Sequence, residues 1–210
     1  MNMRDICEQA PVIPVLVVEE AAQAAPLAGA LVRGGLTVLE VTFRTEAAPE
    51  VIRAMRDAVP DAVVGAGTLL TPADVRAAVA AGAAFGVSPG ATPALMDAAA
   101  EAGLPMLPGA ATASEMMAFM ELGIEVMKFF PAGPAGGVPY LKAIAGPLPQ
   151  VTFCPTGGVS LANMADYLKL PNVLCVGGSW VAPAKAVAAG DWTAIETLAR
   201  EAFAAGHAVL

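Results

Sequence analysis

One lysine set in an apolar run is the residue of this 210-residue chain best placed for covalent chemistry. Lys128 lies in Ile124-Glu125-Val126-Met127-Lys128-Phe129-Phe130-Pro131. A buried ammonium is costly unless it is paired or neutralised, so such a lysine either snorkels to an edge or is held for its amine. Lys142, Lys169 and Lys185 fall in helix- or loop-like contexts, which leaves Lys128 as the amine for attack on a carbonyl. Desolvation among aromatics and a nearby cation favour a neutral, nucleophilic amine, whereas a neighbouring carboxylate favours the ammonium. Val38-Leu39-Glu40-Val41-Thr42-Phe43-Arg44 supplies both kinds of neighbour. Strict alternation puts Leu39, Val41 and Phe43 on one face of a strand and Glu40, Thr42 and Arg44 on the other. An internal Glu-Arg pair filling a sheet interior is the structural alternative for that strand. In its own strand Lys128 shares a face with Val126 and Phe130, so the lysine and the Glu40 carboxylate can project into one interior.

A second group of residues suits an anion. Cys154-Pro155-Thr156-Gly157-Gly158-Val159-Ser160 and Val176-Gly177-Gly178-Ser179 each close an apolar run. Paired glycines let backbone N–H groups approach a phosphate, a following helix N-terminus adds a positive dipole, and Ser179 adds a hydroxyl. A lone Gly-Gly is usually a tight turn. Two of them, at the loops where barrels often bind phosphate, favour an anion site. The implied ligand carries a carbonyl near Lys128 and a phosphate several ångströms away. Gly65-Ala66-Gly67-Thr68 is either a bare strand-end turn or a place for Thr68 to donate to a substrate oxygen. Ser88-Pro89-Gly90 and Leu107-Pro108-Gly109 read as turns after strands.

The elements that must position these residues alternate. Apolar runs at Val12 to Val18, Thr37 to Phe43, Val63 to Leu69, Ala83 to Ser88, Pro105 to Pro108, Val126 to Phe130, Thr152 to Thr156 and Val173 to Gly178 give eight strand candidates. They recur every 20 to 26 residues, separated by alanine-rich helical segments. Gly34, Gly82, Gly103 and Gly123 each end a helix shortly before a strand. Thr71-Pro72, Thr92-Pro93 and Ser160 mark helix starts. Met1 to Ala10 forms a short helix or tail, and Asp191 to Ala205 a closing amphipathic helix. The expected fold is a single (β/α)8 barrel domain over residues 1–210 with a short N-terminal helix; an open doubly wound sheet is the alternative. On a barrel, chemistry sits at the C-terminal ends of the strands, where most of the unusual residues fall.

Composition narrows the classes. The chain is 57% hydrophobic and 14% charged, which excludes disorder. Its net charge of −8 and lack of Lys/Arg clusters give no footprint for nucleic acid or an anionic membrane. Two uncharged windows, Ala77 to Met96 and Ala143 to Ala165, are broken by prolines and glycines and do not read as membrane spans. Acidic residues flank the first apolar run, unlike a signal peptide, so the expected location is cytoplasmic. Cys7, Cys154 and Cys175 are scattered and read as buried reduced thiols. His207 is the only histidine, and no Cys/His cluster suggests a transition-metal site.

Six ordered motifs resemble the 2-keto-3-deoxy-6-phosphogluconate aldolase family. They are Leu39-Glu40-Val41-Thr42-Phe43-Arg44-Thr45, Gly65-Ala66-Gly67-Thr68, Ser88-Pro89-Gly90, Lys128-Phe129-Phe130-Pro131-Ala132, Phe153-Cys154-Pro155-Thr156-Gly157-Gly158 and Gly177-Gly178-Ser179-Trp180. The resemblance implies a class I aldolase on a (β/α)8 barrel, a homotrimer without cofactor or metal. It would cleave 2-dehydro-3-deoxy-6-phosphogluconate to pyruvate and glyceraldehyde 3-phosphate in the Entner-Doudoroff pathway. Related enzymes act on the galactonate epimer or on 4-hydroxy-2-oxoglutarate. Carried onto this sequence, Lys128 forms the Schiff base and Glu40 is the general acid/base. Arg44 and Thr68 hold the pyruvyl carboxylate, Pro89 and Phe130 shape the pocket, and Thr156 lies near the substrate. Gly157, Gly158, Gly178 and Ser179 take the phosphate. Gly133-Pro134 departs from the acidic residue the family commonly carries there, and Ala110-Ala111-Thr112 is a smaller departure. A non-covalent phosphosugar isomerase, or a silent phosphometabolite-binding protein whose Lys128 and Glu40 merely pair, are the competing functions.

Overall fold

Continuous apolar runs buried on both faces are what a parallel sheet covered by helices requires. The computed structural model describes residues 1–210. The five-residue strands β1 (Val12–Leu16) and β2 (Val38–Thr42) are covered along their whole length. They continue into β3 (Val63–Gly67), β4 (Gly86–Val87), β5 (Met106–Leu107), β6 (Gly109–Ala110), β7 (Val126–Phe129), β8 (Thr152–Pro155) and β9 (Val176–Gly178). Before β1 comes α1 (Met3–Cys7); between the strands run α2 (Ala24–Arg33), α3 (Ala48–Ala58), α4 (Pro72–Ala81), α5 (Pro93–Glu101), α6 (Ala113–Glu121), α7 (Gly137–Ile144) and α8 (Met164–Leu168), and α9 (Ala184–Ala189) and α10 (Trp192–His207) follow β9.

The strands form a curled parallel sheet in two parts, ordered β5-β4-β3-β2-β1-β9 and β6-β7-β8. The break falls at Pro108, which has no N–H to donate to a ladder. The fifth strand expected at 105–108 therefore appears as β5 and β6, two residues each, and Pro108 still accepts a 2.9 Å hydrogen bond from the Lys128 amide. At the other side, isolated parallel bridges join Phe153 to Val173 and Thr156 to Gly177.

Side-chain parity divides the core in two. Leu39, Val41, Met127, Phe129 and Phe153 pack outward against the helices, with Phe129 stacked on Tyr140 at 5.3 Å. Val38, Phe85, Val87, Leu107, Val126, Cys154 and Cys175 form an inner cluster, joined by Met3, Ile6 and Cys7 of α1. Three helices start with a threonine whose hydroxyl accepts the amide three residues on: Thr71, Thr92 and Thr112, the first and last as full capping boxes with Asp74 and Glu115. Gly82 ends α4 in the left-handed conformation that glycine adopts at low cost. No helix is long and apolar enough to cross a membrane.

Two expectations about local structure fail. Ser160 does not start a helix: its amide donates to Asn163 Oδ1 in a turn, and α8 begins at Met164. The strand around Glu40 stops at Thr42, so Arg44 lies exposed in the following turn, outside the alternating strand expected to include it. The break comes where the chain turns into α3, with the Thr45 hydroxyl donating to Val18 O at 2.7 Å.

Candidate active site

Lys128 and Glu40 meet inside the curled sheet. Strand parity carries both inward, and the Lys128 Nζ stands 3.6 Å from Glu40 Oε1, with the two side chains only 6% and 3% exposed. Phe130 shares the lysine's face as its spacing predicts: Nζ sits 5.1 Å from the ring centroid, within cation–π range. Glu40 Oε1 accepts no hydrogen bond from the protein. A buried carboxylate oxygen beside an amine, with no internal donor, is available to a substrate hydroxyl or to a water. Thr42 does not join them, because its hydroxyl donates to Leu16 O at 2.8 Å. The internal Glu40–Arg44 pair considered from sequence does not form, and Glu40 pairs with Lys128 instead.

Neighbouring strand ends complete the surround. Gly109 is the register partner of Lys128, and a Cβ there would overlap the Pro89 carbonyl oxygen, so Pro89 main chain lies against the strand next to the lysine's own. Thr68 follows Gly67 at the end of β3 with φ +60°. A β-branched residue in the left-handed region is strained, and such strain collects at functional sites. Arg44 stands outside this buried group, at the exposed rim.

The two glycine turns are brought together by the Thr156–Gly177 bridge. Gly157 and Gly158 have φ of +89° and +84°, which L side chains rarely adopt. Their carbonyls are occupied: Thr156 O and Gly157 O accept from Ala132 N and Gly133 N at 2.8 Å, and Gly158 O accepts from Asn163 Nδ2 at 3.0 Å. With those oxygens engaged, what the turn offers an anion is its N–H groups. The helix dipole expected behind them is absent, since α8 starts only at Met164 and α9 at Ala184. Ser179 is exposed beside Gly178. The Gly133-Pro134 departure packs on this turn, with Gly133 Cα 3.3 Å from where a Gly158 Cβ would lie. Sequence reading did not single out Ala132 and Gly133 as supports of the turn; two main-chain hydrogen bonds leave no signature in side-chain type.

In the inner cluster, Cys7, Cys154 and Cys175 are buried free thiols. Hydrogen bonds with the Cys154 and Cys7 thiols, reinforced by burial, hold the Cys175 thiol well above its ordinary pKa. A protonated buried thiol is a poor nucleophile, which leaves covalent chemistry to the lysine. No group of three or more His, Cys, Asp or Glu side chains is placed to hold a metal ion. A cleft of about 640 Å³ lies elsewhere, between the start of α1 and the chain entering β5 and β7, lined by residues such as Met1, Arg4, Met106 and Glu125. Neither Lys128 nor Glu40 lines it.

Comparison with known proteins gives one consistent result. The family model described as KDPG and KHG aldolase matches residues 3–198. The KHG/KDPG aldolase of Escherichia coli K12 is 54% identical over 201 residues, covering 96% of this chain and 94% of that protein. The 2-dehydro-3-deoxy-phosphogluconate aldolase of Pseudoalteromonas atlantica is 50% identical over 204 residues, covering 97% and 95%. Among solved structures, KDPG aldolase from Legionella pneumophila, with pyruvate captured at low pH as a covalent carbinolamine intermediate, superimposes with a TM-score of 0.94 at 45% identity, covering 97% of this chain and 98% of that one.

Proposed function

The chain belongs to the KDPG and KHG aldolase family, and on that premise we propose that it is a class I aldolase working through Lys128. It cleaves 2-dehydro-3-deoxy-6-phosphogluconate to pyruvate and glyceraldehyde 3-phosphate. The observation that carries the residue assignment is the buried Lys128–Glu40 pair at 3.6 Å, inside the curled sheet.

In this reading Glu40 takes a proton from Lys128, the freed amine attacks the keto carbon, and the carbinolamine loses water to give an iminium. Glu40 moves the protons. It protonates the departing hydroxyl, directly or through a water, then takes the proton of the C4 hydroxyl as the C3–C4 bond breaks. The bonding pair flows into the iminium and is held as an enamine, while glyceraldehyde 3-phosphate leaves. Protonation at C3 and hydrolysis return pyruvate and the free lysine. Burial serves both partners, since charge and proton movements in a water-poor interior are governed by fixed neighbours. Arg44 and Thr68 hold the pyruvyl carboxylate, Pro89 and Phe130 wall the pocket, and Thr156 lines it. Gly157, Gly158, Gly178 and Ser179 bind the phosphate through N–H groups and a hydroxyl.

We also read the curled sheet as a closed (β/α)8 barrel forming one domain over residues 1–210. The Phe153–Val173 and Thr156–Gly177 bridges support closure between β8 and β9, and the Lys128 N–H to Pro108 O bond supports it across the proline break. We propose a homotrimer, as the resemblance implies, located in the cytoplasm, as the acidic residues around the first apolar run imply; light scattering reads the assembly. The E. coli relative's name covers a second substrate, KHG, and 4-hydroxy-2-oxoglutarate fits the same lysine chemistry. Lacking phosphate, it forgoes the glycine turns and should show a higher KM with similar kcat.

Borohydride reduction with pyruvate present tests the assignment. Peptide mapping should place the adduct on Lys128. A protein that cleaves substrate yet traps nothing would instead be using Glu40 without a covalent step.

A further inference from the structure

We propose that Gly67 and Gly177 are positioning residues: each is a bare seat on one strand for a functional side chain of the next. The inference rests on the aldolase reading, which gives Glu40 and Thr156 their roles. In the register of β2 and β3, Glu40 pairs with Gly65 and Thr42 with Gly67. The Glu40 side chain leans along β3 to lie on Gly67. A Cβ at position 67 would overlap Glu40 Oε1 and lie 2.6 Å from its Cγ and 2.7 Å from its Cδ. Because the overlap falls on the carboxylate itself, Glu40 must give up its place beside Lys128 Nζ. Gly177 repeats the arrangement at the other side of the site. A Cβ there would overlap Thr156 Oγ1 and lie 3.1 Å from Cγ2.

Backbone conformation does not account for either glycine. Positive φ occurs at Gly157, Gly158 and seven other glycines, but not at Gly67 or Gly177. Gly177 lies inside β9 and Gly67 is the last residue of β3, and glycine in a strand weakens the element and usually marks close approach of another group. The group that approaches each of them is one the reaction uses. Gly65 supplies the contrast within the same strand: a Cβ there would lie 2.5 Å from Cδ1 and Cζ of Phe85, a core ring with no part in the chemistry.

The experiment compares Gly67→Ala, Gly177→Ala and Gly65→Ala by steady-state pyruvate release and by exchange of pyruvate methyl protons in heavy water. Gly67→Ala should lower kcat about 100-fold with KM within about threefold, and slow proton exchange in parallel, because a displaced acid/base group costs turnover more than binding. Placed on Glu40→Gln, Gly67→Ala should cost less than about a further twofold, since it acts only through that carboxylate. Gly177→Ala should raise KM about tenfold with kcat little changed. Gly65→Ala should lower the melting temperature and leave kcat intact. If Gly67→Ala is insoluble, Glu40→Ala/Gly67→Ala should fold, because the nearest atoms the methyl meets belong to Glu40; an equally insoluble double variant overturns the proposal. Wild-type kcat in Gly67→Ala, an undiminished loss on the Glu40→Gln background, or an unchanged KM in Gly177→Ala would each overturn the seats while the wild type stays active. A wild type that releases no pyruvate overturns the aldolase reading and the seats with it.

Discussion

Replacing Lys128 by methionine keeps an unbranched stem of similar volume and removes only the charge and the nucleophile. Across 3.6 Å, at an effective dielectric of about 20, the attraction between the ammonium and carboxylate forms is about 4–5 kcal/mol. Desolvation of two nearly covered side chains opposes it, so the pair as a whole contributes little net stability. Breaking it from one side is different, because Glu40 then stays buried without its neighbour, at a cost of about 3–5 kcal/mol. In a chain of this length each kcal/mol moves the melting temperature by about 2–4 °C, so Lys128→Met should melt about 10 °C below the wild type. Lys128→Met/Glu40→Gln removes both charges and should recover most of that loss. Calorimetry reads the stability, and pyruvate release should fall at least about a thousandfold in both variants. Lys128→Met melting with the wild type, or a double variant less stable than either single one, would refute the electrostatic reasoning. Retained cleavage would refute the catalytic assignment.

Arg44 is exposed, so Arg44→Ala should change stability by less than about 0.5 kcal/mol while raising the ketoacid KM more than tenfold, roughly the worth of a charged hydrogen bond. Gly158→Ala places a methyl where φ is +84°, costing about 1–2 kcal/mol; it should raise KM for the phosphorylated substrate and leave borohydride trapping of unphosphorylated pyruvate unchanged. Glu115 Oε2 accepts the Ala111 and Thr112 amides at 2.8 Å at the start of α6, and the Ala111 bond is the main reason its carboxyl lies below the ordinary value of 4.5. Because the folded value is depressed, this contribution is present above the unfolded pKa and is lost as pH falls through the folded one. Glu115→Gln should therefore melt lower than the wild type at neutral pH, by the equivalent of about 0.5–1 kcal/mol, and the two curves should converge in acid. A gap that widens in acid would contradict that sign.

Period-2 alternation was enough to place Glu40 and Lys128 on facing inward sides, and the same parity separated Phe130 from Phe129. Arg44 escaped that rule because alternation says which way a residue points only while the strand lasts, and β2 ends two residues earlier. Ser160 misled for a related reason: a serine before a helical segment caps it only if the chain turns helical at once, and Asn163 intervenes. The split at Pro108 was visible as a proline, but its effect on pairing depends on which neighbour needed the missing N–H. The seats at Gly67 and Gly177 were hidden more thoroughly. A glycine's type carries no information about the side chain that fills its space, and only the register between strands reveals it.

The inner cluster has a consequence for traffic. Met3, Ile6 and Cys7 of α1 close on Val38, Phe85, Val87, Leu107 and the two strand thiols, forming a dry floor beneath Lys128. That floor consists of aliphatic, aromatic and thiol groups, and Glu40 is the only buried carboxylate of the chain, so in the proposed reaction every proton moved at Lys128 passes through that one side chain or through water.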